Sequence, residues 1–459
     1  MVPWAASGLY RVPMRSTGTR AAGTGADTAS RDPAIDLVRF ICLVLVVVGH
    51  STMVSPVLHP DGTVTTENTL AEQDWFEPVI WIFMVMPLFF VTGGITGLQS
   101  WRRLQAGGGT AAQFIRTRLL RLVRPAAALL AAMVAGLSVA AALGVDRQVV
   151  QLVATGAGMP LWFLAAYLAA QLNIPVLAAL HDRAPWVTLG LLIGLVVAVD
   201  CLRGAMPDLA NANLVFVWCA VQQLGFLAAD GHLSRLSRSG LLGIAVAAHL
   251  LLGLVTGLGL YRGNMLVNLN PPNLSLVLLG VSQLAAMELA RPVLAPLAGI
   301  RWINRLLQVA GARSLTVYLW HLPLLAAMSG LLLLAPIPKP SSGTAEWWWS
   351  RPLVVLALVL LLLPVAAAFG RLEERTTAPQ AFRCRPVVAG TAVVVVFIPV
   401  ADAALSGLSL GLLAAGVVWF SVAILLLGGL PLPRRAAARR GRRRGPGKRG
   451  RRGIASGVK

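Results

Sequence analysis

The sequence predicts an all-α fold, a polytopic integral membrane helical bundle of about 10–12 transmembrane helices with both termini cytoplasmic. Three observations predict it. Of 459 residues, 57% are apolar and only 12% charged, against about 25% charged in soluble globular chains, and the mean hydropathy is +0.74. Apolar runs recur at lengths that cross about 30 Å of hydrocarbon as helices of about 17–25 residues. Arg and Lys gather in alternate connections between those runs. The same composition excludes a disulfide-rich secreted domain, a disordered chain and a small DNA-binding module.

Twelve runs qualify, beginning near Ile35, Pro78, Pro125, Pro160, Val187, Ala212, Leu241, Leu274, Leu315, Pro352, Val387 and Leu408. Residues 1–34 contain no apolar stretch long enough for a signal peptide, so the first run is expected to act as an uncleaved anchor. The connection 51–77 holds Asp61, Glu67, Glu72, Asp74 and Glu77 with no Lys or Arg, and is expected to face outward. The next one carries Arg102, Arg103, Arg116, Arg118, Arg121 and Arg124, and is expected to face the cytoplasm by the positive-inside rule. Alternation continues through Arg183, Arg235 and Arg238, then Arg291 to Arg313, then Arg371 to Arg385. Trp347, Trp348 and Trp349 fall at an outer connection, where an interfacial aromatic belt explains them without a binding role.

The net charge of +21 suggests an acidic partner until its distribution is read. Residues 434–459 hold twelve Lys or Arg and no acid. This tail is disordered by composition. It has no aromatic residue for base stacking, so nucleic acid is not the expected partner. Anionic lipid headgroups, at about 1 kcal/mol per base near a membrane surface, explain it better.

Ionisable groups are costly within a bilayer, and the first run keeps Asp36, Arg39 and His50. Arg39 and His50 are eleven residues apart, about three helical turns plus 20° and about 16–17 Å of rise, so they share one face. Imidazole is suited to take a proton from a hydroxyl near neutral pH. Singly, Arg39 reads as a snorkelling side chain and His50 as an interhelical hydrogen bond. The shared face and the flanking residues favour a joint role.

Asp36-Leu-Val-Arg39 followed by ten residues and His50 resembles the Arg-x10-His signature of the acyltransferase-3 family of integral membrane O-acyltransferases. Three further stretches support the resemblance. Met86 to Gly97 is similar to the family's Phe-Phe-Val-x-Ser-Gly-Phe segment, with Thr92 in place of Ser. Arg118-Leu-Leu-Arg121 resembles its Arg-x-x-Arg run, and Leu315 to Pro323 resembles its Tyr-Leu-Trp-His-x-Pro segment. Leu161-Trp162-Phe-Leu is similar to a span start seen in related acyltransferases.

The resemblance covers roughly residues 34–375 and implies a division of the chain. Residues 1–34 are a disordered cytoplasmic segment, 35–375 the acyltransferase-3-like transmembrane domain, 376–430 additional transmembrane helices beyond the family's usual ten, and 431–459 the basic cytoplasmic tail. It implies a multi-pass cell-membrane enzyme that moves an acyl group from acyl-CoA, most simply acetyl-CoA, to a hydroxyl of a surface glycan or small glycosylated metabolite. His50 and Arg39 are the implied catalytic residues, Arg118 and Arg121 the implied binders of the donor's phosphates. Asp36, Tyr318 and His321 are candidates for supporting roles. No tightly bound cofactor is expected, and Cys42, Cys201, Cys219 and Cys384 lack metal-ligand spacing. His249 reads as structural, and His59, His181 and His232 carry no motif. A secondary transporter is the alternative, although no internal repeat or paired broken helices are evident.

Overall fold

The computed structural model describes residues 32–61, 63–336, 339–373 and 384–428. The N-terminal segment before Asp32, the basic tail, Arg375 and Arg383 lie outside the described residues.

Helix α1 (Pro33–Met53) begins where the Asp32 carboxylate accepts the Ala34 N–H at 3.0 Å, with Pro33 in the first turn, a start that uses up orphan backbone donors. It runs into an antiparallel hairpin, β1 (Val54–Leu58) and β2 (Val64–Asn68), with Ser55 opposite Glu67. Only an acidic connection is predicted there. Its Val and Thr residues are β-formers, which accounts for the hairpin. Helices α2 (Phe76–Phe83) and α3 (Met86–Ala106) return across the bundle as one apolar span. Helix α4 (Ala111–Ala142) starts from a capping box in which the Thr110 hydroxyl accepts the Gln113 N–H and the Gln113 side chain accepts the Thr110 N–H.

The chain continues through α5 (Arg147–Leu172), α6 (Ile174–Arg183), α7 (Pro185–Leu202), α8 (Asn213–Ala229), α9 (Arg238–Gly257) and α10 (Leu274–Gly299). Then follow α11 (Arg301–Ala312), α12 (Ser314–Leu334), α13 (Ala345–Phe369), α14 (Pro386–Ser406) and α15 (Leu410–Leu426). Among the described residues, eleven spans are long and apolar enough to cross a membrane. The twelfth expected span, α15, has only 17 residues, about 25 Å at 1.5 Å per residue, because Gly407 and Ser409 interrupt the apolar run and cap the helix.

Helix starts also differ from the starts of the apolar runs. Pro125 and Pro160 lie well inside α4 and α5, and Pro352 lies in the second turn of α13. The preceding turns are polar or basic and escape hydropathy, and neighbouring helices tolerate proline within a membrane bundle.

Burial sorts the spans. In α8, 67% of the membrane-length window is buried, against 17% in α9, so α8 is central and α9 is peripheral. The α3–α8 crossing is the tightest contact. A Cβ on Gly94 would overlap the Gln222 carbonyl oxygen, and one on Gly225 would overlap the Val91 carbonyl oxygen. Small residues let membrane helices approach this closely. Phe90 stacks on the fully buried Trp218 at 4.2 Å between ring centroids.

Two polar latches hold opposite ends of the bundle. Where α3, α6 and α8 end, Arg102 grips Asp230 through both guanidinium nitrogens and reaches Asp182 at 2.6 Å. His181, expected to carry little meaning, is buried there. It donates from Nε2 to Asp230 at 3.1 Å and accepts from Gln223 at Nδ1 at 2.7 Å. At the other end, Asp200 accepts from Tyr261, Asn213 and the Leu274 N–H at 2.7, 3.0 and 3.0 Å.

The Arg102 guanidinium, with help from His181, holds the Asp230 carboxyl below the usual carboxylate range. A depressed carboxyl stabilises the fold above its unfolded pKa of about 3.9 and loses that contribution as pH falls through its folded value. Asp230→Asn is therefore expected to lower the thermal midpoint of the solubilised protein at pH 5–8. The gap to wild type should begin to narrow below about pH 4 and close only once pH falls through the depressed folded value, as followed by melting curves across pH.

Candidate active site

Arg39 and His50 occupy one face of α1, both half-buried. The Arg39 guanidinium lies over the Phe89 ring of α3, 5.5 Å from its centroid. Among the described residues no carboxylate pairs with it. Asp36 is half-buried in the first turn of the same helix.

At the other end of that face stands His321 of α12, completely buried. Its Nε2 lies 3.1 Å from Nδ1 of His50, and its own Nδ1 bonds the Tyr318 carbonyl oxygen one turn earlier. The start of α12 is fixed by the buried Glu373 carboxylate, which accepts the N–H groups of Leu315, at 3.3 Å, and Thr316. A carboxylate at a helix N-terminus satisfies orphan donors and complements the helix dipole. Glu373 thus sets the height of Tyr318 and His321.

Aromatic rings fill the interval between the two ends. Phe89, beneath Arg39, meets Phe163 at 5.3 Å and Tyr167 at 5.4 Å; Phe163 meets Tyr318 at 4.9 Å; Tyr318 meets His321 at 5.5 Å; and His321 meets His50 at 5.0 Å between centroids. A continuous ring wall, drawn from α3, α5 and α12, therefore runs from the guanidinium to the imidazole pair. The motif segments other than Arg118-Leu-Leu-Arg121 meet here. Phe89 belongs to the Phe-Phe segment, Phe163 to Leu161-Trp162-Phe-Leu, and Tyr318 and His321 to the α12 segment. The glycines of the Phe-Phe segment face α5, α6 and α8, with Tyr167 3.0 Å from a Cβ on Gly93, so that segment both packs the bundle and presents a ring to Arg39.

Arg118 and Arg121 lie in the first turns of α4, at the end of the bundle where α1 begins. Arg118 sits over the Phe114 ring at 5.0 Å, and Arg121 is close enough to the Glu373 carboxylate to interact electrostatically. They are not among the ring contacts that link Arg39 to His50. Arg116, by contrast, is a structural tie. It is buried and donates from Nε to the Leu427 carbonyl at 2.9 Å, joining α4 to the end of α15.

The Trp347 to Trp349 triplet divides its labour rather than forming a uniform belt. Trp349 is 81% exposed, whereas Trp347 is buried against Trp348 and carries the Arg351 guanidinium over its ring at 4.1 Å. Trp348 faces Trp75 beyond the hairpin at 6.0 Å. Arg351 directs Nη1 towards the Ser51 carbonyl, 3.5 Å away and next in sequence to His50. Ser55, Thr69 and Ser342 link the hairpin to the α12–α13 loop by hydroxyl contacts of 2.7 and 2.5 Å. Phe89, Phe163, Tyr167, Arg351 and Glu373 are the neighbours that sequence reasoning missed. For Phe89 and Phe163 the family segments carried the signal, and for Arg351 a lone charge opening an apolar run did. His249 on α9 bonds the Ser282 hydroxyl of α10 at 2.5 Å.

The family described as "Acyltransferase domain", acyltransferase-3, matches residues 32–371. No curated protein and no solved structure matches the chain. The family match spans the ring wall from Arg39 to His50 and the α12 segment, and the helices carrying them are long and apolar enough to cross a membrane. This chain belongs to the acyltransferase-3 family and is a multi-pass membrane acyltransferase.

Proposed function

We propose that the protein moves an acyl group, most simply acetyl, from acyl-CoA to a hydroxyl of a surface glycan or a small glycosylated metabolite. The observation that carries this reading is the ring wall joining a guanidinium with no carboxylate partner among the described residues to an imidazole pair. Arg39 takes the anionic part of the donor, whose slim thioester arm lies along Phe89, Phe163 and Tyr318 and brings its carbonyl to His50. Arg118 and Arg121 stand at the same end and suit the nucleotide phosphates, because guanidinium binds phosphate through bidentate charge-assisted bonds. That end faces the cytoplasm in this reading, which places both chain termini inside.

His50 acts as general base. It takes the proton of the acceptor hydroxyl as that oxygen bonds to the thioester carbonyl carbon. The carbon–sulfur bond then breaks, and the proton passes to the departing thiolate, giving CoA and an ester. No metal or tightly bound cofactor enters this chemistry, and anionic lipids are the natural partners of the basic tail.

The test is transfer of labelled acetyl from acetyl-CoA by purified protein in nanodiscs to a panel of glycans and glycosides, with CoA release followed in parallel. Transfer supports the reading. Solute uptake into proteoliposomes without any acyl transfer or CoA release would instead favour a transporter. Arg39→Gln is expected to raise the KM for acyl-CoA by about tenfold or more, since a charge-assisted hydrogen bond contributes about 1.5–3 kcal/mol. Alanine at Arg118 and Arg121 together should raise the same KM and flatten its salt dependence, leaving the acceptor KM in place.

A further inference from the structure

His50 has two ring nitrogens, and only one can act as the base. The hydrogen-bond order around the imidazole pair decides which. The Tyr318 carbonyl has no hydrogen to give, so the Nδ1 of His321 that bonds it must be the donor. In neutral imidazole one nitrogen donates and the other accepts. The Nε2 of His321 is therefore a bare acceptor, and the partner it faces at 3.1 Å, Nδ1 of His50, must carry a hydrogen. One lone pair remains in the pair, on Nε2 of His50.

We propose that His321 is a positioning residue that fixes His50 in its Nδ1–H tautomer, and thereby makes Nε2 the atom that accepts the proton of the acceptor hydroxyl. This rests on the general-base reading of His50 and names the group that orients it. In water a neutral histidine side chain favours the Nε2–H tautomer, which would present a donor where the reaction needs an acceptor. The bonded partner of the other nitrogen sets the tautomer, and here the setting is relayed from backbone. Glu373 fixes the start of α12, that helix holds the Tyr318 carbonyl, the carbonyl orients His321, and His321 orients His50.

Protons and electrons balance along this line. When the Nε2 lone pair takes the hydroxyl proton, His50 becomes imidazolium and its Nδ1–H donates more strongly to His321. The new carbon–oxygen bond forms, the carbon–sulfur bond breaks, and the proton leaves Nε2 for the thiolate. His321 loses and gains no proton overall. Its role is therefore separable from that of His50, which must exchange one in every turnover.

The experiment is nitrogen NMR of the full chain in nanodiscs with 15N-labelled histidine, the His50 signals being assigned by their disappearance in His50→Gln. The expected wild-type pattern is protonated Nδ1 and bare Nε2 at His50. His321→Leu removes the side-chain acceptor, leaving the Val46 carbonyl one turn earlier beside the ring, and should raise the share of His50 in the Nε2–H form at least several-fold. It should also lower kcat by about 10²-fold or more, the usual worth of a positioned base, with the KM for acyl-CoA unchanged. His321→Gln places an amide oxygen where Nε2 stood, and should restore the Nδ1–H tautomer and at least a tenfold part of the lost kcat. A wild-type His50 protonated at Nε2, or a His321→Leu protein that keeps both tautomer and kcat, overturns the inference. The expected tautomer in a protein that transfers no acyl group overturns the general-base reading alone, because the spectrum does not depend on turnover.

Discussion

His50→Ala is expected to lower the rate of acyl transfer by about 10²–10⁴-fold, the range that a positioned general base contributes. The protein should still accumulate in membranes at wild-type level. His50 is half-buried, and across the helix interface its ring meets the His321 ring, so its removal leaves His321 with its Tyr318 bond. The KM for acyl-CoA should change little, since Arg39, the proposed holder of the donor's anion, lies about 16–17 Å away along α1. These features together separate a catalytic loss from a misfolded protein. An unchanged transfer rate, measured at matched amounts of solubilised protein, would remove His50 from the mechanism.

Gly225→Val is expected to have the largest effect on the fold. A Cβ at this position overlaps the Val91 carbonyl oxygen and comes within 3.1 Å of the Ile95 nitrogen. These atoms belong to the backbone of α3 and cannot rotate aside. Overpacking in a core costs about 1–3 kcal/mol where side chains can give way, and more is expected where backbones must separate. Little monodisperse protein should survive detergent extraction and size-exclusion chromatography, and Gly225→Ala should lower the thermal midpoint by several degrees. Gly136 is the control, because a Cβ there meets nothing within 4 Å. Gly136→Ala should hold or slightly raise stability, as Ala exceeds Gly in a helix by about 1 kcal/mol. Equal damage at both sites would mean that the α3–α8 approach is not what the glycines serve.

Much of this molecule was legible from residue patterns because the bilayer simplifies the rules. Apolar length and Arg placement alone predict a helical membrane bundle, and the Arg39–His50 spacing predicts their common face. The missing parts are those that depend on contacts between distant segments. Nothing local marks Phe163 as the ring between Phe89 and Tyr318, since an aromatic residue in an apolar run serves packing equally well. His321 could be placed within the bilayer by its distance from Arg313, but its partner across 271 residues is a property of how α12 meets α1. The hairpin after α1 escaped for a different reason. Its acidic residues dominate the charge count of the connection, and the short β-prone stretches between them carry little weight in a hydropathy reading. The proline starts failed because hydropathy finds where a run becomes apolar, while a helix begins wherever its first donors find a cap, as at Thr110 and Asp146.

A helix segment of eleven steps does not stretch. The interval from Arg39 to His50 is therefore a ruler with fixed ends, about 16–17 Å long, and in the proposed reading a donor anchored by its anion at one end presents its carbonyl at the other. Lengthening the acyl chain changes nothing between these marks. In the proposed reading the added carbons lie beyond the thioester carbonyl, near the imidazole pair, beside which Val47, Leu322, Leu325, Leu358 and Leu362 form a small apolar cluster of their own. On that reading, selection among acyl groups of different size is expected at that cluster, and trimming it, for example by Leu322→Ala, should readjust the gauge, read as the relative kcat/KM for longer acyl donors, while leaving its zero at Arg39 untouched.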